Sequence, residues 1–129
     1  MEILPKWTNT IYIIINPGYN LDELLELSKT DVLSNQHTKS DYIVKIGSSK
    51  CLPARYYNYK TYSPIATTIK YYYHIKDYDC YQLDDDIKFD LDKYRIHSSG
   101  GIEFYYSSIL QSLEVYFQSR RIEFTKYIL

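Results

Sequence analysis

Two cysteines, four prolines, four glycines and one tryptophan are all that the 129 residues hold of these types. Cys51 and Cys80 make neither a disulfide framework nor a four-ligand zinc site, so both are expected as free thiols. The scarcity of glycine and proline excludes the collagen-like and disordered low-complexity classes. No apolar run approaches the roughly 20 residues that span a bilayer. The opening stretch Met1-Glu2-Ile3-Leu4-Pro5-Lys6 does not have the pattern of a signal peptide. A soluble protein in a reducing compartment is expected, folded as one domain over residues 1–129. At this length a core needs no covalent staples. The formal net charge of −1 argues against a strongly basic nucleic-acid binder.

What the chain has in excess is tyrosine, 17 residues with an apolar ring and a polar tip. Its charge is also unevenly spread. From Tyr42 to Lys76 there is no Asp or Glu, while Lys45, Lys50, Arg55, Lys60, Lys70 and Lys76 are cationic. The sign then reverses through Asp77, Asp79, Asp84, Asp85, Asp86, Asp90 and Asp92. A basic segment beside an acidic one suits a phosphate-binding surface with carboxylates nearby. Mutual neutralisation of a basic sheet edge and an acidic helix explains the same pattern.

The runs Ile11 to Ile15, Tyr42 to Ile46 and Ile65 to Ile75 are rich in β-branched and aromatic residues and read as strands. Gly47-Ser48-Ser49 closes the second. Asn20 to Ser40 reads as a helix with a following loop, appended to the first hairpin. Pro53 suits the first turn of a helix through Arg55 and Tyr59. Leu83, Ile87, Leu91 and Tyr94 recur at helical spacing, giving an amphipathic helix over Asp79 to Tyr94. A last helix uses Tyr106, Ile109, Leu110, Leu113, Tyr116 and Phe117. Ile122 and Phe124, alternating with Arg121 and Glu123, hint at a fourth strand or an exposed edge. The expected fold is α+β, a three-stranded antiparallel sheet flanked by helices, with a helical insertion in the first hairpin.

The segment Tyr42-Ile43-Val44-Lys45-Ile46-Gly47-Ser48-Ser49-Lys50 resembles the second half of the GIY-YIG nuclease signature, in the branch of phages and large DNA viruses that has K-I-G in place of Y-I-G. Thr10-Ile11-Tyr12 resembles the first half, and Arg55 follows Gly47 by eight residues, as the helix Arg of that signature does. Leu91-Asp92-Lys93-Tyr94-Arg95 and Glu103-Phe104-Tyr105 stand where that branch has its later motifs. The resemblance covers residues 10 to 106 and implies hydrolysis of DNA phosphodiester bonds with one Mg²⁺ or Mn²⁺ ion. Carried over by position, Tyr12 activates or orients the water, Arg55 holds the phosphate and Tyr59 adds a hydroxyl. Lys45, in place of the second Tyr, contacts phosphate or acts as a base. Asp84 takes the place of the metal-binding Glu, one methylene shorter. On the helical wheel Asp84 borders the apolar stripe, whereas Asp85 points to solvent.

The resemblance further implies DNA as partner, with Lys45, Lys50, Arg55 and Lys60 along one groove. It also implies an intracellular setting, the cytoplasm or nucleus of a host cell. A homodimer stays open. Two other readings stand beside the nuclease: a DNA-binding module of the same fold without the chemistry, and a protein-interaction domain that pairs through its Tyr-rich strands and tail. Glu103 is read either as a second polar anchor or as a brace for the Gly100-Gly101 loop.

Overall fold

A computed structural model describes residues 5–15, 42–52, 69–96 and 104–128. The insertion expected over Asn20 to Ser40 and the helix expected from Pro53 lie outside these residues. So do Arg55, Tyr59, Lys60 and Glu103.

The sheet corrects the sequence expectation. It has five strands among the described residues, not three: β1 (Thr10–Ile15), β2 (Ile43–Ser49), β3 (Ile69–Lys76), β4 (Phe104–Tyr106) and β5 (Glu123–Ile128). Their order is β4-β2-β1-β3-β5, with every neighbouring pair antiparallel. The tail becomes a full edge strand. Tyr106, placed in a helix by its spacing, belongs to β4, which pairs Ile43 with Tyr106 and Lys45 with Phe104. Gly47 does not close β2; the strand runs on to Ser49.

Among the described residues two α-helices, α1 (Cys80–Asp90) and α2 (Ile109–Ser119), pack on one face of this sheet. The helix expected over Asp79 to Tyr94 breaks at Leu91 and continues as a 3-10 turn over Asp92–Tyr94. Alternation along the strands decides which side chains meet the helices. Ile11, Ile13, Val44, Ile46, Tyr73 and Ile75 do so, against Leu83 and Ile87 of α1 and Leu113 and Phe117 of α2. Tyr12, Ile14 and Tyr72 point to the opposite face, where they pack with Leu52 and Ile69. Central β1 is therefore buried on both sides, which accounts for its nearly unbroken β-branched run.

Candidate functional site

Tyr12 and Gly47 sit directly opposite each other in the β1–β2 ladder. The tyrosine ring lies across the glycine. A Cβ placed on Gly47 would come within 2.3 Å of both Cζ and Oη of Tyr12 and 2.8 Å of Cε2. Any side chain at position 47 would push the ring off the strand. Glycine in a strand interior is otherwise unfavourable, and a cross-strand aromatic covering it restores the packing. The two halves of the signature, T-I-Y and K-I-G, are thus one physical unit: the glycine makes the seat and the tyrosine fills it. Lys45 lies on the same face as Gly47 by alternation, opposite Ile14 on one side and Phe104 on the other, and is half-buried.

Asp84 reaches the same strand from the helix side. It lies one turn into α1, is 6% exposed, and its Oδ2 accepts a 2.9 Å hydrogen bond from the Ser48 hydroxyl. Asp85 points to solvent. Ser48 is next to Gly47 in β2 but on the opposite face. Asp84 and Tyr12 therefore bear on adjacent residues of one strand from its two sides. The described residues do not set them into one common pocket.

Lys50 caps the far end of β2 and is engaged. Its ammonium pairs with Asp79, the N-cap residue of α1, and donates to Asn9 Oδ1 at 3.0 Å. The Asp79 hydrogen bond raises the Lys50 pKa, and the same bond, joined by the one from the Gln82 amide, lowers that of Asp79. Asn9, in the left-handed region at φ 50°, latches this corner. Its amide donates to the carbonyls of Ile75 and Tyr78, each at 2.7 Å, and its Oδ1 also accepts from the Cys80 backbone N–H. At the other end Arg120 joins α2 to α1. Its guanidinium bonds Asp86 at 2.7 Å and lies 5.5 Å from the ring centroids of both Tyr78 and Tyr116. Tyr78 donates to Asp86 and Tyr116 to Asp90.

Sequence reasoning missed Ser48, Asn9 and Arg120 as positioning residues, and it missed the reason for Gly47. A glycine opposite an aromatic is a detectable signal once register is known. The contacts of Asn9 with Ile75, Tyr78 and Cys80 span 66 to 71 residues of sequence and leave no local trace.

A family model, the T5orf172 domain, matches residues 10–119. The chain belongs to the T5orf172 domain family. This family is associated with nuclease-like or DNA-binding function. Neither the comparison with curated proteins nor that with solved structures found a match. The T5orf172 match begins at Thr10, the first residue of β1, and ends at Ser119, the last of α2. It leaves β5 outside while taking in Tyr12, Gly47 and Asp84.

For this T5orf172 domain, no group of three or more His, Cys, Asp or Glu among the described residues could enclose a metal ion. Mg²⁺ does not require one. It is commonly held by one or two carboxylates and keeps several of its waters. Asp84 is a single carboxylate, 6% exposed, that already accepts the Ser48 hydroxyl. Asp86, two residues on, is committed to Arg120, Tyr78 and Gln82. No helix among the described residues is long and apolar enough to cross a membrane.

Proposed function

We propose that the chain is a GIY-YIG-type endonuclease domain that hydrolyses DNA phosphodiester bonds with one Mg²⁺ or Mn²⁺ ion. The single observation that carries this reading is the Tyr12 ring seated on Gly47. The seat holds the tyrosine hydroxyl at one fixed point above β2, two residues along from Lys45.

In this reading the Tyr12 hydroxyl orients the attacking water, and Lys45 and Arg55 take the phosphate charge that grows as the bond breaks. Tyr59 adds a hydroxyl donor on the Arg55 segment. Lys60 and Arg55 extend the backbone contact. Lys50 joins them only by giving up Asp79, so its contribution is the smallest of the four cations. Asp84 stands at the position of the metal-binding Glu, but it meets β2 on the face away from Tyr12, so no step on the Tyr12 side is routed through an ion held there.

One observation favours a second reading, a DNA-binding module of the same fold without catalysis. Asp84 is shorter than the Glu of the signature, is buried, and meets β2 on the face away from Tyr12. Supercoiled plasmid separates the two. With Mg²⁺ or Mn²⁺ the nuclease nicks it, and EDTA or Arg55→Ala stops nicking while a gel-shift signal survives chelation. Binding with no nicking under any metal leaves the DNA-binding module. No binding even at low salt, where phosphate contacts are strongest, removes both.

A further inference from the structure

The sheet face that carries Tyr12 continues to the β5 edge, and its character changes on the way. Near β1 it is closed: Tyr12, Ile14 and Tyr72 are each at most 1% exposed. Farther out the cross-strand pairs are Tyr72 with Tyr127, His74 with Thr125 and Lys76 with Glu123, and every member but Tyr72 reaches solvent. Tyr127 stacks on Tyr72 with centroids 5.2 Å apart and planes 23° from parallel. Trp7 packs beside them. A His74 ring nitrogen 2.7 Å from the Thr8 carbonyl holds the chain just after Trp7 against β3. The exposed Lys6 ammonium stands 5.8 Å from the Trp7 ring centroid and 5.4 Å from that of Tyr127.

We propose that Trp7 and Tyr127 form a stacking platform for unpaired bases of a DNA strand, with Lys6 taking a neighbouring phosphate. This rests on the DNA reading above and deepens it: the substrate would carry single-stranded nucleotides beside the duplex. Trp7 and Tyr127 are both half-buried, and one exposed lysine stands near both rings. A base takes the ring faces when the flexible Lys6 stem swings its ammonium onto the neighbouring phosphate. Aromatic rings beside lysines on a sheet are the standard means of holding single strands without sequence preference. Duplex DNA cannot use them, because its paired bases present edges rather than faces. Charge agrees: the platform's carboxylate, Glu123, is already offset by Lys76 at 3.6 Å.

Trp7 is the chain's one tryptophan, so its fluorescence reports the platform directly. The full chain in EDTA is titrated with a short thymidine oligonucleotide, a blunt duplex of equal length and inorganic polyphosphate. The single strand is expected to quench Trp7 strongly, the duplex and polyphosphate little. Tyr127→Ala and Trp7→Ala should each weaken single-strand binding about 5- to 100-fold, as the loss of one stacked base does, while Trp7→Phe retains most of it. Circular dichroism and melting check that each variant folds. A saturating single strand that leaves Trp7 unquenched overturns the proposal. So does equal quenching by polyphosphate, or unchanged affinity in both folded alanine variants. Plasmid nicking is read separately: quenching without nicking removes the nuclease alone, and nicking without quenching removes the platform alone.

Discussion

Gly47→Ala is the sharpest probe of how the site is built. The new methyl carbon would stand 2.3 Å from Cζ and Oη of Tyr12, where unstrained carbons keep about 3.5–4.0 Å. More than an ångström must be recovered, and Tyr12 is 1% exposed. Overpacking a well-filled interior by one methyl costs about 1–3 kcal/mol, and a clash this deep belongs at the upper end, about 3 kcal/mol. For a chain of this length that corresponds to a melting point lower by about 10 °C. Urea and thermal unfolding measure it.

The three crowded atoms all belong to the far end of the ring, which makes the reasoning refutable. Tyr12→Leu removes all of them and keeps a large apolar side chain, so Gly47→Ala in that background should cost under about 0.5 kcal/mol. Tyr12→Phe removes only the hydroxyl and should rescue little. The coupling energy between positions 12 and 47 would then be about 2–3 kcal/mol, typical of residues in direct contact. Equal costs in the Tyr and Leu backgrounds would show that the ring does not rest on Gly47. If the hydroxyl orients water as proposed, the folded Gly47→Ala protein should also nick plasmid at least tenfold more slowly.

Arg120→Ala should destabilise the domain by about 1–2 kcal/mol in urea unfolding, because it strips a charge-assisted bond from Asp86 and two ring contacts at once. Arg120→Lys should recover less than half, since a lysine lacks the flat fork that lies against both tyrosines; full recovery would refute the planar geometry. Burial pulls the Asp86 pKa up, but the bonds from Tyr78, Arg120 and Gln82 outweigh it and hold the carboxylate below its ordinary value. Its stabilising contribution is therefore fully present above the usual carboxylate range and is lost as pH falls through the lowered folded value. Wild-type stability should decline below about pH 4 more steeply than that of Arg120→Ala, and parallel curves would exclude Asp86 as the cause.

The sequence displayed what is local and hid what is not. The β-branched run Ile11 to Ile15 and the alternation around Tyr42 to Ile46 are strand signals that survive without any neighbour. Phe104–Tyr106 is too short to show a period, and Tyr106 lies three residues before Ile109, so helical spacing absorbed it. β5 is exposed along most of its length, and an edge strand with one packed residue in three has no clean alternation to detect. The count of three strands failed for those two reasons. At the site, Asp84 could be placed by its neighbours Leu83 and Ile87, because a helix face is legible from spacing alone. Gly47 was legible only as a breaker. Its true role depends on which residue stands opposite, and register is a property of two strands.

That dependence also explains why residues far from Tyr12 belong to the same construction. Gly47 seats the tyrosine on one side of β2, and Ser48, the next residue, receives Asp84 on the other. The position of Asp84 is the position of α1. α1 in turn is held at its start by Asn9, from the residue preceding β1, and across its acidic face by Arg120, from the end of α2. Each latch uses groups that burial or charge makes costly to leave unpaired: a helix N-terminal N–H in one case, a carboxylate in the other. Loosening either moves a carboxylate relative to a strand, not merely a helix relative to a core. Asn9 and Arg120 are therefore positioning residues for Asp84, although neither lies in the signature.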